Sequence, residues 1–541
     1  MILALAGCEV GEVGEPSEAP PVALRADPAE LELTVQLDAA TPAAFRVMNG
    51  AIDVTAIAAY AMTGAPLGTV VAGGFRSDGR TGGRAMITVT LGRATATIPV
   101  HVVLHASRNE ATAEVPGWFA TAGRVVVDGN LEPADGAVLA PNLAGLDVAF
   151  DPPAGDDVHD VELVGPDLEV HVYGRSGEAR FNAAEWDAIA RTSRGKSVDV
   201  IARSLSTADP TISHVVSAHV AVTDLPLASE VLFVGRRGGE AAQVWSYDAR
   251  RGSTQPWAIG GAAGLGSDLA SSRDGRRIAA GVTADAGASP LGRGTVFDVE
   301  SRAVVAPPSA QVGSWTGAAF QPDRSLVTAN AGVLTLRSGD TALPLANLNL
   351  DVLASQPAVA RNGRALAYVT GPLDTASTPA SPQPTPLELR IHDWNPATAA
   401  LGAPLILAPA TDGVSVKFPD FSPDDRFVLY SSVPAATGAS GDIFVVRADG
   451  SEAPVLLASG YDMARFASPI ITARSGYADA SPMVWIVMQS DRPVGGRDQT
   501  GVPQLYAMAF YPELGFASQP FHLPGQDAGI GVLHTPAILE Y

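Results

Sequence analysis

Residues 416–432 read VKFPDFSPDDRFVLYSS, and residues 441–459 read GDIFVVRADGSEAPVLLAS. Each segment holds two short apolar runs split by turn residues: Ser422-Pro423-Asp424-Asp425 in the first, Asp449-Gly450 in the second. Proline presets φ for a turn, and Asp, Ser and Gly accept the conformations that turns demand. The pattern predicts four antiparallel strands, at 418–421, 427–431, 443–447 and 454–458, forming one small sheet. Such a sheet cannot cover its own two faces, so it implies neighbours built the same way.

The neighbours are in the sequence. SDLASSRDGRRIAAGV (267–282) leads to GTVFDVESRAVV, and TGAAFQPDRSLVTANAGVLTLRSGDTALPLA (316–346) is an abbreviated copy. SQPAVARNGRALAYVTG (355–371) leads to LELRIHDWNPATAALGAPLILA, and SPIITARSG (468–476) with PMVWIVMQSDRP leads to PQLYAMAFYPELGFASQPFHLP. A sixth copy is divided. Residues 229–261 supply its last three strands, and HTPAILEY (534–541) supplies the first. Joining the two closes a ring of six units and leaves no long unpaired edge.

The Ser-Pro-Asp turn, the strand ending in Tyr430-Ser431 and the later Asp-Gly hairpin make residues 229–541 resemble the WD40-like propellers of the TolB type, as does Asp491-Arg492-Pro493. Asp425, Arg324 and Asn362 depart from the Asp-Gly of that signature, and the amino-terminal α/β domain of TolB itself is not visible. The resemblance implies a six-bladed β-propeller that binds a partner.

Two further units precede the ring. At 28–106, Leu31, Leu33, Val35 and Leu37 alternate with polar residues, the mark of a half-buried strand, and GGRAMITVTLGRATATIPVHV resembles bacterial immunoglobulin-like modules. Residues 106–121 read as a polar connector. Strands at 125–127, 146–150, 168–173, 198–202 and 214–222 then predict an immunoglobulin- or fibronectin-like unit over 122–225. Within it Asn182 and Glu185 have capping-box spacing for one helix that packs through Trp186 and Ile189. The fold class is all-β: two immunoglobulin-like β-sandwich domains followed by a six-bladed β-propeller.

Residues 1–27 combine Leu5-Ala6-Gly7-Cys8, which resembles a bacterial lipobox, with a Gly/Glu/Pro/Ala-rich tether. The resemblance implies lipid attachment at Cys8 and a place in the bacterial cell envelope. Only seven residues precede Cys8 and none is basic, shorter than a secretory signal, so either the true start lies upstream of Met1 or the match is accidental. A single cysteine excludes an intrachain disulfide and a cysteine-rich zinc site. A net charge of −22 without a basic cluster argues against nucleic acid, and no apolar run is long enough to span a bilayer as a helix, leaving the lipid as the membrane contact.

No catalytic constellation is visible: no GxSxG elbow, no HExxH and no phosphate-cradling loop. No cofactor is expected. Asp156, Asp157, His159 and Asp160 offer oxygen ligands but lack the calcium-loop spacing, so no metal is assigned. His214 and His219 share one alternating run, and His534 opens the predicted closing strand. Insertions at 284–294, 371–386, 433–441 and 491–503 fall on one rim of the ring, which makes it the expected binding surface, with Arg293, Asp491, Arg492, Arg497 and Asp498 as candidates. The expected role is a non-enzymatic envelope lipoprotein binding a protein, peptide or glycan. The alternative is a lyase or glycan hydrolase working in the central channel.

Overall fold

The computed structural model describes the chain except residues 1–22, 176, 228–229, 258–264, 283–292, 307–314, 331, 371–386, 435–440, 468–482, 493–501 and 540–541. Strands dominate, with two short helices among the described residues. The chain divides into two compact units, one comprising residues up to 106 together with 166–169, the other comprising 107–165 and 170–541.

In the smaller unit, strand Leu31–Gln36 alternates buried and exposed residues and runs parallel to Ala94–Asn109, which turns back antiparallel on Gly83–Leu91. Val35, Val47, Phe75, Ile87, Val89, Ile98 and Val102 form its apolar centre.

The larger unit begins with a helix, Val115–Thr121, inside the segment that composition marks as a connector; Pro116 stands in its first turn, where a missing N–H costs nothing. Strands Val158–Gly165, Lys196–Ser206 and Asp209–Val222 form an antiparallel sheet, and Gly145–Phe150 pairs with Leu131–Glu132 and Glu178–Asn182 in a second. Helix Ala183–Ser193 starts on the expected capping box: Asn182 Oδ1 accepts from Ala184 N and Glu185 N, and Glu185 Oε2 accepts from Asn182 N at 2.7 Å. Trp186 and Ile189 are buried beneath it.

Residues 230–539 form six antiparallel sheets, five of four strands and one, the last in chain order, of five. The first strand of each of sheets two to six (Leu265–Ser271, Trp315–Phe320, Ala354–Val359, Val414–Phe421, Asp462–Ala467) packs against its counterpart in the next sheet. Strand Ile530–Leu539 closes the succession. It packs against both Asp462–Ala467 and Leu265–Ser271 and pairs antiparallel with Glu230–Arg237, from Glu230 opposite Leu539 to Arg237 opposite Ile530. The sequence places the inner strand of sheet six at 468–476. It lies at Asp462–Ala467, paired with Val484–Ser490, and 468–482 falls outside the described residues.

Each pair of consecutive sheets shares its own apolar cluster. Phe427, Leu429, Ile486, Met488 and Phe510 lie between the fifth and sixth, and Val327, Leu366, Tyr368 and Trp394 between the third and fourth. A middle strand is thus covered on both faces, so Leu505 to Phe510 is fully buried residue after residue. This is why these strands read as unbroken apolar runs, each large side chain contributing about 1.5–3 kcal/mol.

The turn between the first two strands has one design. Ser422 Oγ donates to Asp424 Oδ1 at 2.6 Å and accepts from Phe427 N, and Ser272, Asp274 and Arg277 repeat the arrangement. The fourth turn residue has positive φ: Gly275 65°, Arg324 71°, Gly363 71°, Asp425 60°. The two departures from glycine each reach the preceding turn. Arg324 Nε binds Asp274 at 2.5 Å, and the Asp425 carboxylate accepts from the backbone N–H groups of Arg361 and Asn362. A left-handed non-glycine residue costs roughly 1–2 kcal/mol, whereas the exposed Arg324 pair returns little. Arg324→Gly is therefore expected to raise stability by roughly 0.5–1 kcal/mol. Asp425→Gly, which also removes two backbone hydrogen bonds, should bring no gain; denaturant titration of both variants checks the contrast.

Within the larger unit, residues 131–149 meet both the first and the last sheet. Ala144 N donates to Ala249 O, Gly525 N to Asp147 Oδ2, and His522 N to Glu132 Oε1 at 2.7 Å. Burial, opposed by the His522 N–H and the Arg492 charge, pushes the Glu132 carboxyl up to about 7. The ionised form is thus penalised in the folded protein: the penalty is absent below the ordinary carboxyl range near 4.5, grows as pH rises and is complete above about 7. Raising pH from about 5 to 8 should lower the unfolding midpoint of the wild type more than that of Glu132→Gln, measured side by side.

Candidate binding site at the mouth of the ring

Four inner strands slip register at one equivalent place. The partners jump from Trp315 to Ala318, Ser355 to Ala358, Lys417 to Asp420 and Asp462 to Arg465, with two residues opposing one each time. These are β-bulges, which bend a strand and release backbone groups from the ladder. Pro357 and Pro419 fall within them, where proline's missing N–H interrupts no pairing, and Gln356 and Phe418 take positive φ of 48° and 55°.

The released groups are taken up by the neighbouring sheet. Gln356 Oε1 accepts from Phe418 N at 2.8 Å, and Arg465 Nη1 donates to Phe418 O and Pro419 O at 3.2 and 2.7 Å; farther round, Arg273 Nη2 in the turn of sheet two donates to Val359 O of sheet four at 3.2 Å. Side chains of one inner strand thereby finish the hydrogen bonding of another, and guanidinium groups are fixed around the axis.

Beside them lies a cavity of about 130 Å³, to which all five inner strands of sheets two to six contribute. Its ionisable lining residues are Arg273, Arg361, Arg465 and Asp420, all half-buried. Three guanidiniums against one carboxylate make this a locally positive spot in a chain of net charge −22. The volume suits one small anionic group rather than a whole cofactor, whose pockets run to hundreds of Å³. Hydrolysis of a glycoside by the usual route needs two facing carboxyl groups; the described lining holds one. Carboxylate recognition by paired guanidinium N–H donors is what this geometry serves.

Reasoning from loop lengths pointed to the opposite rim and missed these residues. A signal was present: Arg273 and Arg361 occupy the turn position held by Pro322 and Pro423 in the sister turns, and Arg465 stands in register with Asp420.

Of the rim candidates, Arg497 and Asp498 lie outside the described residues, as does most of each insertion, and so does Cys8, the expected lipid-attachment residue. Arg293 begins the strand Arg293–Asp298, opposite Val282. Asp491 is exposed at the end of Val484–Ser490. The Arg492 guanidinium lies 3.8 Å from the Tyr461 ring centroid and donates to Ser459 O, where the chain passes from sheet five to sheet six.

The acidic run of the second region does not converge. Asp156 accepts from Ser204 Oγ at 2.6 Å and meets His214 Nδ1 at 2.8 Å, and Asp157 accepts from Thr207. His159 packs edge-on to Phe150, with its pKa pushed down to about 4 by burial. His219 pairs with Asp199, away from His214. Only Asp160 gathers ligand-type groups, together with Glu162 and His171. Arg203 already fills that cluster: Nη1 lies 2.9 Å from Glu162 Oε1 and 3.5 Å from Asp160 Oδ2, and Nη2 donates to Phe119 O. Burial raises the Asp160 carboxyl to about 6, partly offset by His171. A cation is thus built in as a side chain.

No protein-family model matches the chain, and no curated protein matches it in sequence. Among solved structures it is similar to one titled a nidogen/laminin complex (9% identity over 57% of this chain and 98% of that one, TM-score 0.37). It is also similar to TolB from Acinetobacter baumannii (14%, 54% of this chain and 62% of that one, 0.30) and to the Dos1 propeller (12%, 48% and 62%, 0.32). The chain spans less than two thirds of the latter two. By its own sheets, packed inner strand to inner strand in succession, the protein is all-β with a β-propeller arrangement.

Removing Arg203 leaves two buried carboxylates facing each other. Arg203→Met should cost about 3–5 kcal/mol, and adding Asp160→Asn should recover part of the loss; chemical denaturation of the single and double variants reads the difference.

Proposed function

We propose that the protein is a non-enzymatic envelope lipoprotein, tethered through Cys8 and residues 1–27, in which two immunoglobulin-like sandwiches (28–106 and 122–225) carry a six-bladed propeller (229–541) that binds a protein partner. The partner presents an acidic segment, and one of its carboxylates enters the cavity at the ring mouth. The observation that carries this reading is the placement of Arg273, Arg361 and Arg465 around one cavity, opposed by Asp420 alone, in a strongly acidic chain. The mouth is a local positive spot against the general negative charge, a combination that selects for where and how an acidic segment docks more than for raw affinity. The rim of insertions carrying Arg293, Asp491, Arg492, Arg497 and Asp498 is a second contact face in this proposal.

Fluorescence anisotropy of the whole chain with a labelled Asp/Glu-rich peptide, and with the same peptide carrying Asn/Gln, tests it. The acidic peptide should bind and the neutral one should not. Arg361→Gln should weaken binding about tenfold, an expected 1–2 kcal/mol for one lost charged hydrogen bond, while Asp420→Asn should tighten it. Equal binding of both peptides, or indifference to both substitutions, removes the assignment.

A further inference from the structure

Among the described residues, the ring-mouth cavity is lined by the guanidiniums of Arg273, Arg361 and Arg465 and the carboxylate of Asp420, a surplus of two positive charges. One side-chain carboxylate entering there answers half of that surplus. All four groups are half-buried, so a ligand in the cavity reaches them while water screens them less than at the open surface. A charge left without its counter-ion in such a place is costly. The occupant that fits brings two negative charges into a small space.

Asp420 decides how those charges are carried. An ionised carboxylate only accepts hydrogen bonds, and a phosphate dianion, whose charge lies on acceptor oxygens alone, offers Asp420 repulsion and no donor. The last residue of a polypeptide, when it is Asp or Glu, carries an α-carboxylate, a side-chain carboxylate and between them an amide N–H. Two acceptors then face the surplus of guanidinium charge, and one donor faces Asp420.

The shape of the cavity favours a chain end as well. Inner strands of five sheets bound it, and a volume of about 130 Å³ is too small for a run of residues. An internal segment would have to enter and leave past the same strands, whereas an end needs one way in. Ala270, Ala318 and Ala319, half-buried on the wall, keep long side chains out of the approach. The donors are already held in place: Phe418 O and Pro419 O engage Arg465 through Nη1, which leaves its Nε and Nη2 outside those bonds, and Val359 O engages Arg273 through Nη2. Groups fixed before the ligand arrives lower the ordering cost of binding, and capture of a terminal carboxylate is an established mode of peptide recognition.

We infer that the ring mouth captures the carboxyl terminus of its partner, with Asp or Glu as the last residue: Arg273, Arg361 and Arg465 take its two carboxylates and Asp420 takes its amide N–H. This rests on the proposed binding of an acidic partner at the same cavity and adds which part of that partner enters.

Fluorescence anisotropy of the whole chain with short Gly/Ser peptides labelled at the amino terminus separates the two claims. One peptide ends in Glu with a free carboxylate. A second has the same net charge from two internal Glu residues and an amidated end. A third ends in Gln with a free carboxylate. The first should bind about tenfold more tightly than either of the others. Arg361→Gln, which removes one charge of the surplus, should bring the first down to the level of the third, and free succinate, a dicarboxylate without the amide, should displace the first far less effectively than the unlabelled peptide does. Equal binding of the first and second peptides overturns capture of the chain end and leaves the acidic-segment site standing. Binding of none of the three overturns both. An undiminished lead of the first peptide in Arg361→Gln, or succinate as effective as the peptide, overturns the assignment of the terminal residue to these arginines.

Discussion

The antiparallel pairing of Glu230–Arg237 with Ile530–Leu539 is the constraint on which the larger unit rests. It joins strands some three hundred positions apart, and it completes the first sheet while bringing the inner strand of that sheet between those of sheets six and two. Each sheet is covered chiefly by its two neighbours, so one missing neighbour would leave two apolar faces open. The buried runs at 484–490 and 505–510 are tolerable in water because the succession of sheets has no end.

The bulges follow from that closure. Inner strands converge, and the two-against-one slip at each equivalent place bends them and frees carbonyl and N–H groups toward the neighbouring strand. Arg465 and Gln356 answer those groups. Two of the three guanidiniums that give the mouth its charge, Arg465 and Arg273, thus also hold backbone carbonyls of other sheets. Positioning here comes from the fold's own need for donors, and the positive spot is as rigid as the sheets that hold it.

Much of this was legible in the sequence because turn chemistry and apolar runs are local signals. The Ser-Pro-Asp turns, the Asn182–Glu185 capping box and the split first sheet could all be read directly. The inner strand of sheet six could not: Asp462-Met463-Ala464-Arg465 places charges where a strand pattern expects apolar residues, and Ser468-Pro469-Ile470-Ile471 a few positions on has the better propensity. Helix Val115–Thr121 was hidden by its brevity and by Gly117. The cavity arginines were hidden differently. The residue type of Arg273 and Arg361 at a proline position is visible, but only the packing of successive sheets brings them to one cavity with Arg465. Loop length, the cue followed instead, measures insertion tolerance as readily as function.

The contacts of residues 131–149 with both Ala249 and Gly525 have a temporal meaning as well. On a ribosome this region emerges ahead of every strand of the ring, and domains tend to fold as they appear. It stands ready as a jig when the two terminal sheets arrive, the second long after the first. The last sheet then searches for a surface already in place rather than for a partner that must form at the same moment.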